Sequence, residues 1–419
     1  MQTSDVFFAF INEHTDDDLA LLLLAAGRYP EIDMPFAVEQ IRARRYIREK
    51  LPTWYANRSL LFPSKIAVEQ CSSEQTARYK QRLIRDENHV CDATGGLGID
   101  TYSFAQKVSR VSYVEQAKEC FDIAMYNFSR LRVKNITGYN EDAENVLQKM
   151  QSVDMIYIDP SRRSEDNQRV FALSDCEPDL KKIVPLLLSK APKVIAKVSP
   201  MLDIRHTLAL LPKTSEVHIV SIKNECKELL FILQRENESR DPAIQCINYT
   251  TEGVEQSFRF TLSDEQTTQC IIGNSVQTFL YEPNASILKA GAYKQVAIRF
   301  DIEKIHTNSH LYTSEKLIPL FPGRIFQVQD VFSFSGKLCN TIYKMIPQAN
   351  ITTRNFPLPA DELRRRTRIT DGGDCYLFAT TLANNERVLI QCKRKSSPNP
   401  SEEGENPPPL GELEGAFLS

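Results

Sequence analysis

The most informative stretch of the sequence is a glycine-rich turn that follows a short apolar run at residues 88–92. The residues that could contact a ligand there are Asp92, Thr94, Gly95, Gly96, Gly98 and Asp100. Glycines let the backbone approach a ligand closely, and the N-terminus of the helix that follows them offers backbone N–H groups to that ligand. A dinucleotide site would place a third glycine where Thr101 stands. The spacing therefore argues against a nicotinamide-dependent oxidoreductase.

Further acidic side chains follow the next two predicted strands. Residues 111–115 end in Glu115, with Gln116 after it, and the strand predicted at 133–137 is followed by Asp142. A carboxylate suits the two hydroxyls of a ribose, and Asp142 could receive an adenine amino group. The alternative for Asp142 is the N-cap of a helix starting at Ala143. An acid at the first strand end, with Thr94 replacing the first glycine of G-x-G-x-G, favours S-adenosyl-L-methionine as the cofactor.

A candidate reacting loop follows the strand predicted at 154–158. It reads Asp159-Pro160-Ser161-Arg162-Arg163. Methyltransferases that act on nitrogen often carry Asn/Asp-Pro-Pro-aromatic at this position, so Asp159, Pro160 and Arg162 are the candidate catalytic residues. Arg162 could stack on a base or bind phosphate. The alternatives are a turn cap for Asp159 and an ion pair with nearby acids for Arg162.

The periodicity predicts an α/β fold with a Rossmann-like, seven-stranded sheet. The strands are expected at 88–92, 111–115, 133–137, 154–158, 193–198, 215–222 and 228–234. Residues 223–227 are too few for a crossover helix, so the last two strands must pair antiparallel. That architecture is typical of class I methyltransferases and differs from the all-parallel sheet of NAD-binding domains.

Five segments are expected along the chain. Residues 1–85 form a helical region, 86–235 the Rossmann-like domain and 236–321 a connecting α+β region, with a hairpin around 246–262 and a helix over 284–299. Residues 322–395 read as βαβαββ, with helices over 337–345 and 359–368. Residues 396–419, rich in Ser, Pro, Glu and Gly, are expected to be disordered.

The charge distribution is compatible with an RNA partner. The chain has a formal net charge of −3, but residues 397–419 hold five glutamates and no lysine or arginine, so the rest carries +2. The candidate RNA-binding residues are Arg163, Arg364, Arg365, Arg366 and Arg368. Clustered cations supply phosphate affinity, although a run of arginines on a helix can also be a solvated face.

Other functional classes find little support in the sequence. The ten cysteines include no C-x-x-C pair, so neither a zinc site nor a disulfide framework is expected. His306 and His310 would share a helix face, but no partner ligand accompanies them, and no metal is predicted. The apolar run 19–27 is too short to cross a bilayer, and residues 1–10 lack a secretion signal, so we expect a cytoplasmic protein with no membrane partner. No obligatory protein partner is indicated.

Several separated motifs resemble one bacterial family. They are residues 69–74, 77–80, 92–100, 159–163 and 281–284, together with the βαβαββ end. The chain resembles class I S-adenosylmethionine-dependent methyltransferases that carry a C-terminal THUMP-like domain. The resemblance implies methyl transfer to RNA, chiefly tRNA, and places Gln70 and Ser72 near the methionine end of the cofactor. Ser72 or Ser73 could equally be a helix N-cap. The alternative function is a non-catalytic RNA-binding protein with a degenerate methyltransferase fold.

Overall fold

The computed structural model describes residues 4–63, 65–162 and 176–395. The chain divides into two compact units. Unit 1 comprises Met1–Val220 and Lys227–Ala243, and unit 2 comprises Ser221–Cys226 and Ile244–Ser419. Among the described helices, none is long and apolar enough to cross a membrane.

Unit 1 begins with six helices. They are α1 (Asp5–Glu13), α2 (Leu19–Leu24), α3 (Met34–Lys50), α4 (Pro52–Ala56), α5 (Lys65–Gln70) and α6 (Glu74–Arg82). Side chains that cap helix starts set several of these boundaries: Asp18 caps α2 and Ser73 caps α6. The helices share an apolar core that includes Trp54, whose indole packs edge-on against the ring of Tyr102 with 5.6 Å between centroids. Tyr102 belongs to the helix that follows the glycine turn, so this core supports the candidate site.

The sheet of unit 1 confirms the predicted fold class. Its strands are β1 (His89–Asp92), β2 (Arg110–Val114), β3 (Ile136–Tyr139), β4 (Met155–Ile158), β7 (Lys193–Val198), β8 (Thr214–Ile222) and β9 (Glu225–Gln234), while β5 (Ser161–Arg162) and β6 (Cys176–Glu177) pair separately. These seven strands lie in the order β8-β9-β7-β4-β1-β2-β3 within a sheet of nine described strands. Strands β7, β4, β1, β2 and β3 run parallel, and β9 pairs antiparallel with β7. The carboxyl ends of the parallel strands therefore meet at one edge, where open α/β sheets bind ligands.

Five helices in the described part of unit 1 connect these strands. They are α7 (Ile99–Ala105), α8 (Lys118–Arg130), α9 (Ala143–Lys149), α10 (Leu180–Lys190) and α11 (Ile204–Leu210). Aspartates cap three of them, Asp142 on α9, Asp179 on α10 and Asp203 on α11. Strand β4 is buried along its whole length, as expected for a strand covered on both faces.

Unit 2 is a mixed α+β structure. Its elements are β10 (Ala243–Tyr249), β11 (Glu255–Thr261), α12 (Leu262–Thr267), β12 (Phe279–Pro283), α13 (Ala285–Ala290), α14 (Tyr293–Arg299), β13 (Glu303–Lys304), β14 (Tyr312–Ser314), β15 (Gly323–Ser333), α15 (Gly336–Cys339), a 3₁₀ turn (Ile342–Lys344), β16 (Asn350–Arg354), α16 (Ala360–Thr367), β17 (Cys375–Thr381) and β18 (Arg387–Lys395). One sheet runs in the order β13-β14-β12-β15-β18-β17-β16. Its strand pairs are antiparallel except β16 with β17, which are parallel.

Several sequence-based element predictions were wrong in detail. The single helix expected over 284–299 is two helices, because Gly291 adopts a left-handed conformation with φ of 77° and ends α13. The helix expected over 337–345 is one short turn of α-helix followed by a 3₁₀ turn. His306 and His310 do not share a helix face, since both lie between β13 and β14, and His310 has a φ of 52°. Strands β12 to β14 are short and were not anticipated.

Candidate active site at the strand ends of unit 1

In the glycine turn after β1, two glycines are closely packed against aromatic rings and the third faces open space. A Cβ atom on Gly95 would lie 2.1 Å from the ring of Tyr113, and one on Gly98 would lie 2.4 Å from the ring of Phe128. Gly98 also has a φ of 80° as the N-cap of α7. Gly96 has a φ of 51°, yet nothing lies within 4 Å of its Cβ position. Tight packing thus explains Gly95 and Gly98, whereas Gly96 leaves a space that a side chain would fill.

Glu115 closes this turn from the end of β2. One carboxylate oxygen accepts a hydrogen bond from the Gly96 amide at 2.8 Å, and the other accepts one from the Ala117 amide at 2.7 Å. The Asn140 side chain donates to the carbonyls of Glu115 and Gln116, which ties the segment after β3 to the same corner. A carboxylate oxygen can accept more than one hydrogen bond, so Glu115 remains able to bind ligand hydroxyls.

Asp92 is a fully buried carboxylate at the end of β1. It accepts hydrogen bonds from the Thr101 hydroxyl at 2.5 Å and the Thr94 amide at 3.3 Å. Burial raises its pKa to about 7, and the nearby carboxylates of Asp100 and Asp159 act in the same direction. Within the described parts of the chain no cationic side chain forms an ion pair with Asp92. The site therefore holds a buried acid whose charge is not balanced directly.

Asp159 is fixed at both its backbone and its carboxylate. Its amide donates to the Thr94 hydroxyl at 2.7 Å, and its carboxylate forms an ion pair with Lys197. The parallel register of β4 and β7 pairs Ile158 with Ala196, so the two residues that follow are neighbours. Burial disfavours the ammonium, but the carboxylates of Asp159 and Glu228 outweigh it and raise the pKa of Lys197.

A buried network lies beside this corner and centres on Lys80, which is fully buried. Its ammonium lies 2.9 Å from Asp100, 3.2 Å from Glu228 and 2.7 Å from the Ser72 hydroxyl. The hydroxyls of Ser72 and Tyr157 donate to Asp100 at 2.7 and 3.1 Å. Burial opposes ionisation of both partners, yet their attraction raises the pKa of Lys80 and lowers that of Asp100. Burial raises the pKa of Glu228.

The charges at this edge of the sheet favour a cationic ligand. Four carboxylates, those of Asp92, Asp100, Asp159 and Glu228, accompany two ammonium groups, those of Lys80 and Lys197. Burial raises the pKa of Asp92 and Glu228, so a cationic ligand beside them would favour their charged forms. A positively charged nucleoside derivative fits this field, and the space at Gly96 beside Glu115 could admit its sugar.

The other predicted residues of this site lie in different surroundings. Ser73, not Ser72, caps α6, while Gln70 is exposed at the end of α5. Asp142 accepts hydrogen bonds from the amides of Glu144 and Asn145, so it is the N-cap of α9, which was one of the two roles considered for it from the sequence. Pro160 is partly buried after β4. The backbone of Arg162 belongs to β5, and Arg163 lies outside the described residues.

The arginines of α16 are paired within unit 2. Arg364 lies 2.6 Å from Asp371, and Arg366 lies 2.7 Å from Glu362. Arg365 also contacts Glu362, and the Arg368 guanidinium lies 5.9 Å from the ring centre of Tyr343. These cations are exposed to different degrees and remain candidates for an RNA contact.

Three charged residues of the site were missed from the sequence: Lys80, Lys197 and Glu228. Lys197 could have been found, because a lysine within the apolar run 193–198 sits at the same strand end as Asp159. Lys80 lies in a motif that carried only a family resemblance. Glu228 is 148 residues from Lys80, and the two meet only because α6 packs beside β9 in the fold.

Comparison with known proteins is consistent with these features. Residues 279–322 match a family model described as a ferredoxin-like domain, and residues 323–394 match one described as THUMP domain-like. The crystal structure of a putative methyltransferase from Porphyromonas gingivalis W83 is 36% identical, with a TM-score of 0.85 over 93% of this chain and 98% of that chain. No curated protein matches the sequence.

Much weaker likeness is found to other solved structures. A putative rRNA-methylase from Clostridium thermocellum is 14% identical, with a TM-score of 0.30 over 38% of this chain and 95% of that chain. A putative methyltransferase from Streptococcus mutans in complex with SAH is 10% identical, with the same TM-score over 38% of this chain and 96% of that chain. Likeness at this level supports no functional statement. The extensive match to the Porphyromonas gingivalis protein, with the THUMP-like match, shows that the chain belongs to the bacterial family of class I methyltransferases with a C-terminal THUMP-like domain.

Proposed function

We propose that the chain is an S-adenosylmethionine-dependent methyltransferase that acts on RNA, with tRNA the favoured substrate. The observation that carries this proposal is the corner in which the turn at Gly96 is bonded to Glu115 and Thr94 is bonded to both Asp92 and Asp159. One hydrogen-bonded loop therefore brings together a candidate sugar acceptor, a buried acid and a candidate reacting loop.

The residues of this corner fit the cofactor chemically. When bound, S-adenosylmethionine supplies an electrophilic methyl group on a positively charged sulfur. Glu115 would accept hydrogen bonds from the ribose, and Asp142 would lie at the adenine end, although its N-cap role uses one of its oxygens. The excess carboxylates would stabilise the cationic portion, with Asp92 the buried acid that has no cationic partner within the described residues.

Asp159 is the proposed catalytic residue. Its backbone is held by Thr94 and its carboxylate by Lys197, so little reorientation is needed when substrate binds. A carboxylate held in this way can accept a hydrogen bond from an N–H or O–H nucleophile and take up its proton as the methyl group is transferred. Ser161 and Arg162 replace the second proline and the aromatic residue, so the base would be held by Arg162 instead of an aromatic ring.

The cofactor assignment can be tested by calorimetry with S-adenosylmethionine. Glu115→Ala should weaken binding by about 1.5–3 kcal/mol, because a charged acceptor of ribose hydroxyls is lost. Glu119→Ala is the matched control, since Glu119 is an exposed glutamate in the first turn of α8. Equal affinity of both folded variants and the wild type would remove Glu115 from the cofactor site.

The reaction can be tested with S-adenosylmethionine carrying a labelled methyl group and bulk tRNA from cells that lack the gene. The wild-type protein should transfer label to this RNA, and nucleoside mass spectrometry should identify the product. A protein that binds the cofactor but labels no cellular RNA would contradict the substrate assignment.

A non-catalytic RNA-binding protein is the second candidate. The ion pair of Lys197 with Asp159 favours it, because it engages the carboxylate proposed to react, and so does the departure from the Pro-aromatic pattern. A degenerate cofactor domain should give no saturable heat with S-adenosylmethionine. Saturable binding together with methyl transfer would exclude this alternative.

A further inference from the structure

A second charged cluster lies in unit 2 and centres on Glu282. This glutamate is 2% exposed and stands directly opposite Arg324 in the pairing of β12 with β15. The Arg324 Nε donates to Glu282 Oε2 at 2.8 Å, and its Nη2 contacts the same oxygen. Arg354 at the end of β16 reaches the other oxygen, with Nη2 at 2.7 Å and Nε at 3.1 Å. Each oxygen of one buried carboxylate thus holds one guanidinium group.

The cluster carries more positive charge than is needed to neutralise the buried carboxylate of Glu282. One arginine neutralises one carboxylate, so the second leaves a surplus of +1, and Glu282 is the only carboxylate that forms an ion pair with either arginine in the described structure. The side chains of Arg324 and Arg354 are 28% and 39% exposed, so the surplus faces solvent.

The Nη1 group of each guanidinium lies on the side that Glu282 does not contact. Glu282 occupies the Nε side of each fork, while Nη1 of Arg354 donates only to the Thr353 carbonyl at 3.1 Å. Nη1 of Arg324 has no hydrogen-bond partner in the described part of the chain. Because Glu282 fixes both side chains, little conformational entropy is lost when an anion binds their outer edges.

We infer that Arg324 and Arg354 form a phosphate-binding site for an internal phosphodiester of the RNA substrate, with Glu282 as the positioning residue for both. Planar guanidinium groups match the oxygens of a phosphate. The ring of Phe326 lies 5.5 Å from the Arg324 guanidinium but is fully buried, so it offers no stacking surface for a base. The site therefore provides phosphate contacts that do not depend on RNA sequence.

The ion pairs of the site also distinguish it from the predicted arginine run. Glu282 lies in the ferredoxin-like segment, and both arginines lie in the THUMP-like segment. The arginines of α16 are paired with Glu362 and Asp371, whereas Arg324 and Arg354 share a single buried partner. The inference rests on the proposed function, since it assigns a phosphate contact to the same RNA substrate.

The test measures the affinity of the full chain for bulk tRNA by filter binding at several salt concentrations. Arg324→Gln and Arg354→Gln should each lower affinity about tenfold and reduce the slope of log K against log salt by about 0.7–0.9. Arg387→Gln is the matched control, because Arg387 is an exposed arginine at the opposite end of β18 and the change in net charge is the same. An equal effect of all three substitutions, or no effect of the first two, would overturn the inference.

Two further measurements distinguish loss of the phosphate site from unfolding and from binding of a terminal phosphate. Each single variant leaves one arginine on Glu282, so the carboxylate keeps a cationic partner. If either variant unfolds, Arg324→Lys keeps the charge but loses the planar fork, so it should lower the affinity for tRNA without changing the salt slope, and wild-type affinity would contradict the site. Phosphatase-treated tRNA should bind as tightly as untreated tRNA, and loss of the arginine effect on treatment would assign the site to a terminal phosphate instead. Wild-type protein that neither binds nor methylates RNA would refute the proposed function itself, whereas RNA methylation with unaffected variants would refute only this site.

Discussion

Asp92 combines full burial with a carboxylate that has no cationic partner among the described residues, and this combination has a measurable energetic consequence. Its pKa of about 7 in the fold compares with an ordinary value of 3.8. The folded protein thus holds this proton more tightly than the unfolded chain does. Ionisation of Asp92 therefore destabilises the fold progressively as pH rises from about 4 to 7, by up to about 4 kcal/mol above that range.

Asp92→Asn should remove this dependence. The variant should be more stable than the wild type at pH 8 and similar to it only below about pH 4, because the amide needs no charge and can still bond to Thr101. The measurement is the difference in unfolding free energy between the two proteins across this pH range. Stability curves that run parallel would show that Asp92 does not titrate there. The same variant should bind S-adenosylmethionine more weakly, since the acid is then lost.

Lys80 should be far more sensitive to substitution than Glu228. Lys80→Met leaves two buried carboxylates without their shared cation and should cost about 3–5 kcal/mol. Glu228→Gln keeps the contact of Lys80 with Asp100 and should cost much less. Urea unfolding would compare the stabilities of the two variants. Equal losses of stability would indicate that the contact of Lys80 with Asp100 adds nothing to the contact with Glu228.

At the scale of single elements, a substitution in the glycine turn can distinguish an effect on stability from an effect on ligand binding. Gly96→Ala places a Cβ in open space at a positive φ, so it should cost only about 1–2 kcal/mol of stability. That Cβ would nevertheless enter the space assigned to the cofactor, and we expect a large loss of S-adenosylmethionine affinity in calorimetry. Gly253→Ala is the control, because Gly253 has a φ of 82° and equally open surroundings in unit 2. Unchanged affinity in Gly96→Ala would place the cofactor elsewhere.

Helix α16 allows a related prediction for RNA. Neutralising Arg364, Arg365 and Arg366 together should weaken tRNA binding and flatten its salt dependence by about 0.7–0.9 for each phosphate that the helix no longer binds. The carboxylates of Glu362 and Asp371 already compensate part of this charge, so the change in slope should correspond to fewer than three phosphates. Wild-type binding at every salt concentration would exclude α16 from the RNA interface.

The elements that sequence reasoning recovered are those with strong local signals. The strands of unit 1 are apolar runs separated by amphipathic helices, and the turn at Gly96 combines an acid with glycines, so both were predictable. The break at Gly291 was not, because a single glycine inside a helical pattern is compatible with an uninterrupted helix. Glu228 and Lys80 lie on β9 and α6, and Glu282 and Arg354 lie on β12 and β16, which have three strands between them in the sheet. Tertiary packing brings each pair together, and no local pattern encodes it.

At the scale of the whole molecule, the two proposed sites lie in different units. The cofactor corner belongs to unit 1, and the cluster around Glu282 belongs to unit 2. Substitutions at sites that share no partners usually act independently. Asp159→Ala should therefore lower the rate of methyl transfer while tRNA binding is retained, and Arg324→Gln should leave S-adenosylmethionine affinity unchanged. Measuring both affinities and the single-turnover rate for each variant would test this separation, and a loss of tRNA binding in Asp159→Ala would contradict it.

The packing of Trp54 against Tyr102 gives the protein an intrinsic optical probe. Trp54 is the only tryptophan of the chain, and it lies in the buried helical core of unit 1 beside α7. Tryptophan fluorescence therefore reports on unit 1 alone, whereas far-ultraviolet circular dichroism reports on the backbone of both units. Coincident transitions from the two methods would indicate that the units unfold together, and separate transitions would allow the stability of each to be measured in the intact chain without a label.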